Sequence, residues 1–453
     1  MRAIPVLVAV LLASAAVSGA LAVPDRGESA ASIGGGSATS AVPFTPAETE
    51  TAAATEGPEA TTMATINGTA PIRVLSLDAN GSVASDIDVV TVDAGTATGF
   101  GANASAARIE TIALRERITS ANDSDERQIR ILDGLNEVDK DVVTLHSRHR
   151  EAIAAYHAGE ISGKEFLVEL ARIRATAAVL EERVLMLDRL ADDTDDLALD
   201  DSRVFPVVYD LRTFDGPVRS RAAAALDGEP GASTRVYVAT TETGIVLSTV
   251  ADGQFVREAF RSDLRQRDDT SIDEETAQNV TARSYPEVWA ATGGSVAGQG
   301  SGGTFLFDLA YPNGTLTAFV GGGTERVFME QQRVDLAAVS TGEAVTRTLD
   351  LTLTVNRTFP GGPLRVAVTD PQTGEPVDAV VKIGREGGES TDVGTTGADG
   401  VLWTVSPSDE FVVTVVEVGS TEVSTRSVTP TEPVTVADAF ESPGGPNATD
   451  SGE

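Results

Sequence analysis

The sequence predicts a multi-domain α+β protein: an antiparallel helical hairpin, then α+β meander units, then an all-β sandwich. Three observations predict it. Two long segments carry apolar residues at alternating steps of three and four. A strand–turn–strand–turn–strand pattern then occurs twice. From about residue 346 the hydrophobic period shortens to two, as a half-buried strand requires.

Residues 1–22 read as a signal peptide. Arg2 is the short positive region, Ile4 to Val17 is largely apolar, and Ala20-Leu21-Ala22 is a small-x-small cleavage site. Residues 3–23 would serve as a membrane tether if left uncleaved, since a bilayer needs about 20 apolar residues. Residues 23–70 are Ala, Ser, Thr, Gly, Pro and Glu, with too little apolar surface to offset chain entropy, and read as a disordered stalk. Two short strands are expected next, Arg73 to Leu77 and Asp88 to Val92.

A first helix is expected over Ala106 to Ile118. In a second, Ile131, Leu135, Val138, Val142, Leu145, His149, Ala152 and Tyr156 share one seam. In a third, Phe166, Leu170, Ile173, Ala177, Leu180, Val184, Leu187 and Ala191 do the same. Such heptads belong to a coiled-coil pair. Asp123 or Ser124 caps the second helix and Gly159 stops it. Ser162 with Glu165 forms a capping box for the third. The acidic run from Asp192 to Asp201 marks a solvated boundary, so residues 71–198 read as one unit.

Residues 199–340 read as an α+β domain with an internal duplication. RVYVATTETGIVLSTVADGQFVRE aligns with TFLFDLAYPNGTLTAFVGGGTERVFME when Gly244 and Gly314 are superposed. A helical stretch precedes each copy, Val218 to Leu226 and Glu274 to Thr292. The pattern resembles the PepSY-like helix-plus-sheet unit. The Gly-rich run at 293–303 lacks a G-K-S/T ending and follows a helix without opening one, so a flexible loop is expected, not a phosphate cradle.

Residues 346–437 read as the β-sandwich, with Leu349 to Val355 as a strictly alternating strand, and 438–453 as a disordered tail. Within it, GPLRVAVTDPQTGEPVDAVVKIG, then TTGADG and a closing EFVVTVVEVG, resembles the carboxypeptidase-regulatory-like, transthyretin-type sandwich, an Ig/transthyretin-like fold. Asp370, Thr373, Gly374, Pro376 and Val377 match its first turn, and Asp399-Gly400 its second. The resemblance implies a spacer or binding module without catalysis. SDERQIRILDGL at 124–135 and EAIAAYHAGEISGKEFLVELARI at 151–173 resemble a family of uncharacterised haloarchaeal exported proteins, which implies export and no particular activity.

The compartment is read from charge and asparagine. Net charge is −34, with only three lysines (Lys140, Lys164, Lys382) among 34 basic residues. An acid-rich, lysine-poor surface suits molar salt, where repulsion is screened within about 3 Å. With no basic patch to neutralise phosphates, nucleic acid is excluded as a partner. Eight of the nine asparagines lie in N-x-S/T, at Asn67, Asn80, Asn103, Asn122, Asn279, Asn313, Asn356 and Asn447. That is far beyond chance placement and points to N-glycosylation outside the cytoplasm.

No catalytic, cofactor or metal residue is assigned. Cysteine is absent, and no G-x-S-x-G occurs. His146, His149 and His157 crowd one helix, but His149 falls on the apolar seam and no third metal ligand shares the face. Carboxylate pairs are uninformative in so acidic a chain. The expected function is a non-catalytic secreted or envelope-associated protein with a structural or binding role toward an envelope or surface protein. The alternatives are a PepSY-like binder or inhibitor of an exported peptidase, and a carboxylate-dependent hydrolase.

Overall fold

A computed structural model describes residues 72–437, apart from 79–80, 92–93, 196, 198, 230, 266–271, 294–295, 302 and 340–341. By its contacts the chain divides into Met1–Thr61 and Thr62–Glu453, and every described residue belongs to the second unit. The signal segment, stalk and tail lie outside the described residues. Among those described, no helix is long and apolar enough to cross a membrane.

Strand β1 (Ala84–Val90) leads into helices α1 (Ala94–Thr119), α2 (Ser124–His157), α3 (Gly163–Asp192), α4 (Asp201–Arg212) and α5 (Pro217–Leu226). All sixteen expected seam residues of α2 and α3 are buried. Asp123 caps α2, its side chain accepting from the Glu126 N–H at 2.8 Å. Ser162 and Glu165 close the expected capping box, and Gly159 ends α2 with φ +72°. Arg148 meets Glu169 and Tyr156 stacks on Phe166, as antiparallel helices require. Helix α1 starts twelve residues before the expected Ala106. Its first half is Ala, Gly, Thr, Asn and Ser with one aromatic, so it carries no apolar period to read.

Two meanders follow: β2 (Thr234–Thr240), β3 (Gly244–Ala251) and β4 (Gln254–Arg261), then, after α6 (Glu274–Ser284), α7 (Pro286–Ala291) and β5 (Ala297–Ser301), β6 (Thr304–Tyr311), β7 (Gly314–Gly321) and β8 (Arg326–Asp335). They join through β4 and β8 into one antiparallel sheet of order β1-β2-β3-β4-β8-β7-β6-β5. The expected helix over 274–292 breaks at Tyr285, because a residue before proline is pushed out of the α region.

The expected flexible loop at 293–303 is corrected in part: Ala297–Ser301 is edge strand β5. Its glycines admit the neighbouring rings. A Cβ at Gly298 would lie 2.7 Å from the Phe307 ring, and one at Gly300 2.2 Å from that of Phe305. A glycine-rich edge strand without apolar alternation is indistinguishable from a loop in sequence.

Both sheet faces are covered. On one, Val236, Val238, Leu247, Val256 and Phe260 pack against Phe166, Leu167 and Leu170 of α3 and Val218 and Ala222 of α5. On the other, Tyr237, Ala239, Val246, Phe307 and Leu316 pack against Ala277, Val280 and Val288 and reach Val405 of the sandwich. The helical hairpin and the meanders therefore share a core. The hairpin's far half closes a separate cluster with α1 and α4.

The sandwich pairs two four-stranded sheets. One holds β9 (Ala344–Thr348), β10 (Thr352–Asn356), β11 (Pro363–Thr369) and β14 (Val401–Val405). The other holds β12 (Ala379–Gly384), β13 (Ser390–Thr395), β15 (Phe411–Glu417) and β16 (Val423–Val428). Strand β10 starts at Thr352, three residues after the expected Leu349, which is exposed.

Candidate functional site

Arg73 to Leu77 was expected as a strand and instead crosses the sheet as a strap. Only Val74 bridges another backbone, parallel to Thr435 beyond the sandwich. Side chains satisfy the rest. Glu330 on β8 accepts from the Leu75 N–H at 2.7 Å, and Arg257 on β4 donates to the Leu75 carbonyl at 2.8 Å. Gln332 donates to the Arg73 carbonyl at 2.9 Å and Arg261 to that of Ser76 at 3.0 Å. Arg257 also pairs with Glu330, which accepts a third bond from the Tyr285 hydroxyl at 2.6 Å.

A second buried pair lies on the helical face. Arg219 and Glu258 are each 2% exposed, with Nε and Oε1 2.9 Å apart. Glu258 also accepts from the Val218 N–H at the start of α5, where Gly216 provides no side-chain cap. Burial pushes its carboxyl upward, and Arg219 opposes the shift. Glu258 and Glu330 lie on the third strands of their respective meanders, Glu330 two residues further from its turn glycine, and each holds the helix preceding its own meander. The β4–β8 register pairs Glu258 with Gln331 and Ala259 with Glu330. That one-residue offset sends the two glutamates to opposite faces, so α5 and α6 dock on opposite sides. Neither pair was foreseen. The available signal was a charge inside apolar runs, Phe255-Val256-Arg257-Glu258 and Val327-Phe328-Met329-Glu330.

Between strap, sheet and sandwich lies a cleft of about 400 Å³. Tyr237, Val246 and Arg257 form its floor, Leu77, Phe359, Pro360 and Pro430 line it, and Asp409, Glu410 and Glu432 stand at the sandwich side. The sandwich is locked there: Ser408 bonds Tyr237 at 3.0 Å and Ser85 at 2.6 Å, and Ser248 donates to the Gly361 carbonyl at 2.5 Å. Gly361 has φ +73°, and a Cβ on it would lie 2.4 Å from the Tyr237 ring. Gly361→Ala is therefore expected to cost about 1–3 kcal/mol, from the left-handed backbone plus the clash. Denaturant unfolding at fixed salt measures it, and an unchanged midpoint would contradict this reading of the lock.

The histidines lie away from the cleft. His146 pairs with Asp210 at 2.8 Å, and Arg265 meets the same carboxylate at 2.6 Å. His149 is buried, edge-on to Phe214 and Phe260. His157 approaches the Ser82 hydroxyl at 3.1 Å. Among the described residues no group of three metal-ligating side chains converges. Burial, with help from Arg219, His146 and Arg265, pulls the His149 imidazole well below its usual range. The native state thus excludes a proton that the unfolded chain takes up below about pH 6.5. Stability should fall as pH drops through 6.5, by up to about 1.4 kcal/mol per unit from this residue. His149→Leu should flatten that slope between pH 7 and 5, and parallel slopes would refute the assignment.

Of the eight sequons, Asn67, Asn80 and Asn447 lie outside the described residues. Asn103 lies within α1, Asn122 in the turn before α2, Asn279 on α6, Asn313 in the β6–β7 turn and Asn356 at the end of β10. Asn122 and Asn279 are exposed, and Asn313 and Asn356 half-buried. Trp289 packs beside the sheet core, and Trp403 lines a smaller hollow with Arg235.

The fold and the cleft define an α+β body with a latched C-terminal sandwich of the Ig type. Residues 341–425 match the archaeal fibronectin-III type-like domain, and residues 236–340 a family of unknown function, DUF7094. Residues 1–231 match the domain of unknown function DUF7096, and over half its length the chain belongs to that family. Comparison with curated proteins and with solved structures returns no match.

Proposed function

We propose that the chain is a non-catalytic protein of the cell exterior of a halophilic archaeon, secreted or held at the envelope, and that its body binds a surface partner. The cleft carries this reading. It offers aromatic and proline walls, while the Arg257–Glu330 pair beneath it is committed to Leu75 and Tyr285 and the histidines lie elsewhere. With that pair committed to the fold, the floor of the cleft supplies no free base or nucleophile, and the carboxylates of Asp409, Glu410 and Glu432 stand at its sandwich side. The apolar residues 3–23, the acidic composition and the eight sequons support export and a glycosylated surface. The carboxypeptidase-regulatory-like turns at Asp370 and Asp399-Gly400 support a display role for the sandwich.

The test is recovery of the protein with its neighbours from envelope fractions, beside a Phe359→Asp variant that places a charge in the cleft. Cleft-dependent recovery of an envelope protein is expected. Equal recovery by the variant, or turnover of glycans or peptides by the purified chain, would overturn the proposal. One observation favours a second reading, a PepSY-like binder or inhibitor of an exported peptidase. It is the paired use of Glu258 and Glu330 to hold a helix against each meander. Inhibition of a co-purified protease would select it.

A further inference from the structure

Resting on the exterior-glycoprotein reading, we propose that, of the four sequons whose side chains are described (Asn122, Asn279, Asn313 and Asn356), Asn313 is the one that accepts an N-linked sugar on the folded protein, and that Asn279 and Asn356 do not. A transferase must engage the asparagine amide and the hydroxyl two residues later together. Both groups must therefore be reachable from one side and not committed to the protein.

At Asn279 the amide is exposed, but Thr281 is fully buried and its hydroxyl donates to the Ala277 carbonyl at 3.1 Å. On a helix, residues two apart point about 200° away from each other, so one enzyme cannot grasp both. At Asn356 the amide donates to the Gly342 carbonyl at 3.2 Å and accepts from Arg365 at 3.3 Å, and strand β10 is paired on both sides. At Asn122 the amide donates to Glu126 at 3.0 Å, and the Ser124 hydroxyl donates to the Asp195 carbonyl at 3.1 Å.

Asn313 differs in each respect. It stands with Pro312 in the two-residue turn between β6 and β7, and proline and asparagine are residues that such a turn favours. Thr315 is exposed at the second position of β7. Only the Asn313 backbone is engaged, its carbonyl accepting from the Asp335 N–H at 3.0 Å. Among the described residues, neither the Asn313 amide nor the Thr315 hydroxyl makes a hydrogen bond with the protein. In the transfer, Asn313 Nδ2 attacks the anomeric carbon of a phosphate-activated sugar. The C–N bond forms as the C–O bond to phosphate breaks, the phosphate leaves with the electron pair, and the amide proton passes to the transferase.

Peptide mass mapping of the full chain isolated from its native host tests this, with Thr315→Val and Thr315→Ser expressed alongside. Sugar on Asn313 with Asn279 and Asn356 bare is expected, abolished by Thr315→Val and retained by Thr315→Ser. Sugar elsewhere with Asn313 bare would overturn this assignment and leave the exterior reading standing. Sugar on Asn279 or Asn356 as well would show transfer before folding and overturn the geometric selection. No sugar on any of the eight would sink both.

Discussion

Glu258→Ala is expected to lower the unfolding free energy by about 3–5 kcal/mol, because it strands the Arg219 guanidinium in the core. Arg219 and Glu258 are each only 2% exposed, so water cannot take over the lost partner. The same substitution frees the Val218 N–H at the start of α5, which alone costs about 1–3 kcal/mol when buried. Replacing both charges together, Arg219→Met with Glu258→Leu, should cost far less than either change alone, since no unpaired charge remains. Urea unfolding of the wild type, Glu258→Ala, Arg219→Met, Glu258→Leu and the double variant at one salt concentration gives the comparison. A loss below about 1 kcal/mol for Glu258→Ala, or a double variant no better than the single ones, would contradict a buried pair as the joint between α5 and the sheet.

Lowering salt from molar to about 0.1 M is expected to unfold the protein outright. Screening lengthens from about 3 Å to about 10 Å over that range, and a net charge of −34 then repels itself across the surface. The crowding is visible locally. Burial raises the Asp188 carboxyl, and Asp192 and Asp201 push it further in the same direction. Around Arg183, Asp141 is likewise raised by burial, with Glu137 and Glu110 adding to the shift against the pull of the guanidinium. Circular dichroism followed through a salt titration reads the transition. An unchanged spectrum at 0.1 M would refute salt adaptation.

Much of the fold was legible where a local period dictates it. The sixteen seam positions of α2 and α3, the Ser162 box and the strands of both meanders follow from spacing alone. What escaped was held by contacts distant in sequence. The strap at 73–76 is satisfied by side chains about 180 to 260 residues away, so no alternation could reveal its partners. Strand β5 exists because two phenylalanine rings occupy the space its glycines leave. The cleft joins Leu77, Tyr237, Phe359 and Pro430, none of which carries a signal by itself. Of the sequons, the motif is legible, but the burial of Thr281 and the freedom of Thr315 are not.

Intact mass of the chain recovered from cell fractions decides whether this is a glycosylated protein of the cell exterior. A polypeptide beginning at Val23 is expected, found outside the cytoplasm and heavier than its sequence by whole sugar units. A full-length chain at its bare polypeptide mass in the cytoplasmic fraction would contradict it.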